Sequence, residues 1–162
     1  MKVVADTSVI NYLTLINAVR LLPYLFGKII IPEAVFQELS HEHTPPVVRD
    51  LIRTGPEWLE IRSVGQSRDA ALASLHPGEK EVIILAEKIK ADLVILDDWE
   101  ARRFAEDRRL KVCGLLKILE LGDIHHRVSL PRAIEKLRRT NFKVSDRLIR
   151  KILLRHLERQ RL

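Results

Sequence analysis

Apolar residues recur along the chain in short blocks, and the spacing within each block predicts its secondary structure. Lys2-Val3-Val4-Ala5 is an apolar run that stops at Asp6-Thr7-Ser8. It reads as a buried strand with a polar tip. Val9, Ile10, Leu13 and Ile16 follow helical spacing up to a break at Asn17. A second helical stretch over 18–26 contains Pro23 and ends at Gly27, a suitable C′ glycine. Ile29-Ile30-Ile31 lies between Gly27 and Pro32 and predicts a second strand. Pro32 then suits the first turn of a helix running to about Leu39, with Val35, Phe36 and Leu39 inward and Glu38 at the edge of that face.

The alternation continues. Residues 41–46 form a loop, 47–53 a helix closed by Gly55, and 58–62 an alternating strand exposed on one side. The alanine-rich 67–75 stretch predicts a helix, interrupted by His76-Pro77-Gly78. A new helix over 79–90 brings Val82, Ile83, Leu85, Ala86 and Ile89 inward. Leu93-Val94-Ile95-Leu96 is the clearest buried strand, and it too ends in acid, Asp97-Asp98. A polar helix over 99–109 and a fifth short strand over 111–113 follow. From about Leu130 the chain is helical and basic, with Leu148, Ile149, Ile152, Leu153 and Leu157 forming one stripe expected to pack on the protein's own body.

Strands alternating with helices imply a parallel sheet with right-handed crossovers. A strand buried on both faces belongs at its centre. In such sheets a ligand sits beyond the carboxyl ends of the strands where strand order reverses, so Asp6 is expected at a cleft edge. The 162 residues suit one domain with a sizeable core. No apolar run is long enough to span a bilayer, and the N-terminus lacks a secretory pattern. The single cysteine, Cys113, excludes an internal disulfide and reads as a buried structural thiol. Together these place the expected location in the cytoplasm, with no membrane partner.

The net charge of +6 is unevenly distributed. Residues 127–162 carry 12 Lys/Arg against 3 Asp/Glu, whereas residues 1–126 carry 16 against 19. A basic end on a slightly acidic body points to a polyanionic partner such as nucleic acid, with a solvated, salt-laced helical surface as the competing reading.

Four acids recur at informative places: Asp6 and Asp97 after buried strands, Glu38 late on a helix and Glu79 at a helix start. Carboxylates brought within a few ångströms repel one another unless a cation intervenes. An all-oxygen set suits Mg²⁺ or Mn²⁺ rather than zinc, and such ions serve phosphate displacement. Each acid also has a plainer reading as a helix cap, a turn residue or a solvated side chain.

The arrangement resembles the PIN-domain family of metal-dependent ribonucleases, especially the VapC-like toxins. The resemblance spans about residues 2–115. It rests on Asp6-Thr7-Ser8 after the first strand, Pro32-Glu33 with Val35 and Glu38-Leu39 after the second, Gly78-Glu79 opening a helix, and Leu93 to Asp97 at the family's spacing. It implies a three-layer α/β/α fold whose five parallel strands run in the order 3-2-1-4-5. It also implies Mg²⁺- or Mn²⁺-dependent hydrolysis of RNA phosphodiesters. By that match Asp6, Glu38, Glu79 and Asp97 are metal ligands and catalytic residues, supported by Thr7 or Ser8, with Glu81 and Asp98 as second-rank ligands. It further implies a small antitoxin partner and a homodimer. The chain departs from the usual toxin pattern in three ways: Glu79 stands where Asp is common, Asp97-Asp98 are adjacent, and the basic tail is extra. On this reading residues 1–126 are a nuclease domain and 127–162 a basic helical extension packed on it.

Other constellations are weaker. His41 and His43 flank Glu42 without the helical zinc spacing, and His76, His125 and His126 read as loop or surface residues. No phosphate-cradling glycine motif is present. A phosphate-receiving signalling domain also clusters aspartates at strand ends, but resemblance to it requires a lysine closing the last strand, where this chain has Cys113-Gly114. The alternative function is a nuclease-like fold that only binds nucleic acid.

Overall fold

The computed structural model describes residues 1–66 and 68–162. Its centre is a five-stranded sheet of β1 (Val3–Ala5), β2 (Ile29–Pro32), β3 (Leu59–Arg62), β4 (Leu93–Ile95) and β5 (Val112–Cys113). Every pairing is parallel and the order is β3-β2-β1-β4-β5, as the resemblance implies. All residues of β1 and β2 are buried, so both faces of the sheet centre are covered by helices, and β-branched side chains fill both layers. The edge strand β3 keeps Ile61 exposed.

The crossovers place α1 (Thr7–Leu15) and α2 (Leu21–Phe26) between β1 and β2, and α3 (Glu33–Ser40) and α4 (Pro46–Arg53) between β2 and β3. Then α5 (Pro77–Ile89) leads to β4 and α6 (Trp99–Asp107) to β5. The chain continues as α7 (Leu115–Ile124), α8 (Leu130–Arg138) and α9 (Asp146–Gln160). Among the described residues no helix is long and apolar enough to cross a membrane.

Four expectations need correction. The second helix starts at Leu21, not Ala18, because Asn17 in the left-handed region (φ 58°) turns the chain and residues 18–20 close as turns. Of the 67–75 stretch Ser67 lies outside the described residues, and 68–75 holds a 3-10 turn over Ala70–Leu72 and no α-helix. Leu72 ends that turn, the Leu75 N–H donates to its carbonyl at 3.0 Å, and both side chains are buried, so tertiary packing overrides alanine's α preference. Helix α5 starts at Pro77 rather than Glu79, since proline at the first helical position sacrifices no hydrogen bond. The stretch 115–124, unassigned from pattern, is α7; its apolar residues are buried nearly all round, so no amphipathic period marks it.

The tail stripe divides. Helix α8 buries Leu130, Ala133, Ile134 and Leu137, and α9 buries Ile149 and Ile152, each side chain contributing roughly 1.5–3 kcal/mol for the larger residues. Leu148 and Leu157, however, are 42% and 54% exposed. The inward arc of α9 is completed instead by polar groups. Arg155 and Arg159 bond Glu120, and His156 and Arg159 bond Asp123, two acids buried on α7. Buried carboxylates need such partners, and α9 supplies them.

Candidate active site

Strands β1 and β4 are the neighbours at which strand order reverses, and they are in register, Ala5 opposite Ile95. The Asp6 N–H continues the ladder by donating to the Ile95 carbonyl at 3.1 Å. Continued by one residue, that register sets Asp6 opposite Leu96, and Asp97 follows at the same carboxyl edge, near enough to act on the charge of Asp6. Asp6 stands at the N-cap position of α1, yet its side chain caps nothing there, and it is only 5% exposed. Burial raises its carboxyl to about 7, Glu79, Glu38 and Asp97 adding repulsion against the opposing Thr7 amide.

Asp97 is held differently. Its Oδ1 accepts the Leu115 N–H at the start of α7 at 2.9 Å, while its buried Oδ2 has no partner among the described residues. Burial raises this carboxyl too, with the Leu115 amide and the Arg102 guanidinium pulling the other way. The close fit needs Gly114, since a Cβ there would lie 2.7 Å from Asp97 Oδ1 and 2.9 Å from Arg102.

Glu38, in the last turn of α3, is oriented by two donors. Gly78 N–H gives Oε1 a bond at 3.0 Å and the Thr7 hydroxyl bonds Oε2. A Cβ on Gly78 would sit 2.6 Å from both oxygens, so α5 approaches this carboxylate as closely as glycine permits. Glu79 reaches back to the His76 N–H at 3.3 Å across the first turn of α5. Burial raises its pKa, helped by Asp98 and Glu38 and opposed by the His76 amide. Asp6, Thr7, Ser8, Glu38 and Glu79 line one cleft of about 430 Å³.

A family profile described as PIN domain matches residues 2–158. The chain belongs to the PIN-domain family. The match runs through α8 and into α9, well past the 2–115 covered by the motif resemblance. A search of curated proteins returned no match.

Within this PIN domain the second-rank acids have other partners. Glu81 accepts the Ala34 N–H at 2.9 Å and ties α5 to the start of α3. Asp98 accepts the Ala101 N–H at 3.0 Å as the N-cap of α6. Asn11, Tyr12, His76 and Pro77 also line the cleft, and the sequence pattern marks none of them as a site residue. Tyr12 is one turn past Ser8, so helical spacing from the acidic tip could have found it. His76, which reads from sequence as a loop or surface residue, is exposed and stands at the cleft rim. Burial pushes the Cys113 thiol up to about 11, which fits a structural thiol and not a nucleophile.

Among the described residues no three His, Cys, Asp or Glu side chains converge as a ready ligand set. Asp6, Glu38 and Glu79 line the cleft, while Asp97, at the same sheet edge, faces a neighbouring groove. An orphaned buried oxygen on Asp97 and three carboxyls held above their ordinary range are the features a hard divalent cation relieves, and the all-oxygen donors suit one.

Proposed function

We propose that this PIN domain is a Mg²⁺- or Mn²⁺-dependent ribonuclease that hydrolyses RNA phosphodiesters, the toxin of a toxin–antitoxin pair acting in the cytoplasm. The observation that carries the reading is Asp6: a buried carboxylate at the strand-order reversal, raised to about 7 and without a capping bond. A capping acid would be bonded and low. Asp6, Glu38, Glu79 and Asp97 are the groups that would hold the cation. Bound there, the ion supplies positive charge to the scissile phosphate and acidifies a water.

The chain's own residues do the rest. Thr7 and the Gly78 N–H keep the Glu38 carboxylate turned to the cleft. Leu115 N–H fixes Asp97 so that one oxygen stays free. Asp6, with a pKa near neutrality in the metal-free fold, is suited to hold or pass a proton. Residues 127–162 form a basic extension that favours a polyanionic substrate, and a small antitoxin and a second copy of the chain complete the proposed partners.

The test is a nuclease assay on structured RNA with the parent in Mn²⁺, the parent in EDTA, and Asp6→Asn in Mn²⁺. Cleavage by the first alone supports the reading. Cleavage by all three removes it.

A further inference from the structure

Asp97 does not line the acidic cleft but borders a separate cavity, a groove of about 920 Å³. One side is built from the start of α6, β5 and α7; the other is the 142–145 segment that joins α8 to α9, with Leu148, Ile152 and Arg155 of α9. Tyr12 of the acidic cleft fastens that segment. Its hydroxyl donates to Asn141 at 2.7 Å, and its ring meets Phe142 edge-on at 5.0 Å. The tail therefore walls a channel that ends at a candidate catalytic carboxylate.

The lining has two unexplained features. Trp99 is 69% exposed on the groove's edge, whereas Trp58 is 9% exposed, and the Arg103 guanidinium stacks 4.8 Å over the Trp99 ring. A solvent-facing indole capped by a cation contributes little to folding. The groove also has a surplus of positive charge. Of its two acids, Glu120 is bonded by Arg155 and Lys117, and Asp97 lies in the field of Arg102; among the described residues Arg102 and Lys143 form no ion pair within 4.0 Å, so the four cations exceed the two acids.

We infer that this groove is a track for single-stranded RNA, in which a base stacks on Trp99 and Arg102 and Lys143 meet the phosphates leading to Asp97. An aromatic platform beside a line of cations is the pattern that holds unpaired strands, since only an unstacked base can reach an indole face. The inference rests on the nuclease reading for its polymer, but its evidence is the groove itself.

The experiment uses the full chain in EDTA, so that no cleavage intervenes, and a fluorescein-labelled ten-nucleotide oligouridine followed by anisotropy and tryptophan emission. RNA should quench the parent's emission. Trp99→Leu should raise Kd about fivefold or more, the effect of losing one base stack, and lose most of the quench. Trp99→Phe, which keeps a stacking ring, should bind within about twofold of the parent. Lys143→Gln should lower the slope of log Kd against log salt by about 0.7. Parental Kd and slope in Trp99→Leu and Lys143→Gln overturn the track, as does displacement of the RNA by a polyglutamate peptide that binds more tightly. If Trp99→Leu loses its fold by circular dichroism, Lys143→Gln alone decides. RNA hydrolysis in Mn²⁺ with Trp99-independent binding removes the track and keeps the nuclease. Trp99-dependent binding without hydrolysis does the reverse.

Discussion

The Leu115 N–H donates to one carboxylate oxygen of Asp97 at 2.9 Å, and the other oxygen of Asp97 is buried with no partner. A buried carboxylate half satisfied in this way costs stability unless a cation or a proton completes it. Together with Asp6 beside it, this predicts linked metal binding, cleavage and thermal stability. At ten times its dissociation constant, one Mn²⁺ bound only by the native state adds about 1.4 kcal/mol, a rise of a few degrees in Tm. Asp97→Asn should keep its fold, lose at least about a hundredfold in cleavage rate, and show a smaller Mn²⁺ shift. Full activity in the purified variant would remove Asp97 from the site.

Asp6 predicts a pH dependence of the metal-free protein. Its carboxyl is raised from 3.8 to about 7, so the native state binds the proton more tightly than the unfolded chain. The stability this gives is complete below pH 3.8 and is lost as pH rises toward 7. Asp6→Asn lacks that term. In EDTA, its Tm advantage over the parent should grow from pH 4 to pH 7 and then level off. A constant or inverted difference would mean that Asp6 is an ordinary capping acid, whose loss costs about 1 kcal/mol.

Gly78 predicts an effect on geometry with little effect on folding. In Gly78→Ala the new methyl would meet the Glu38 carboxylate 2.6 Å away, and that flexible side-chain end must move. The backbone need not, because Gly78 lies in the first turn of α5 and needs no positive φ. We expect a Tm within about 3 °C of the parent and a Mn²⁺ affinity at least about tenfold weaker, read by titration calorimetry. Parental Mn²⁺ affinity would show that Glu38 takes no part in binding.

Glu120 predicts how the tail is held. Arg155 chiefly, and Lys117 with it, hold this acid at about 2 against the cost of burial. Such a depressed carboxyl stabilises the fold above 4.5 and loses that contribution as pH falls through about 2. Glu120→Gln leaves Arg155 and Arg159, 41% and 29% exposed, facing a neutral amide, and the loss of these charge-assisted bonds costs on the order of 1.5–3 kcal/mol. The variant should melt lower than the parent at pH 7 and show a flatter decline between pH 5 and pH 2. Protease digestion should nick α9 first. An unchanged Tm would mean that Ile149, Ile152 and the Asp123 bonds hold α9 without Glu120.

Local pattern determined much of this protein. Period-two and β-branched runs placed the strands, and the abrupt change from Ala5 to Asp6 and from Leu96 to Asp97 marked the sheet edge where chemistry is expected. Those signals are short-range, because a strand buried on both faces must be apolar throughout and a polar residue can only follow its end. Helix α7 was invisible for the same reason: burial on all sides erases the amphipathic period. Tertiary structure alone decided the partners. It paired Glu38 with Gly78, 40 residues away, and diverted Glu81 and Asp98 to helix amides. It also joined Glu120 and Asp123 to a tail whose charge had pointed only outward. Which donor meets which carboxylate depends on crossings between elements far apart in the chain, and residue type does not carry that information. The same physics divided the tail's cations, because a buried acid on α7 selects the arginines that the docking angle of α9 brings within reach.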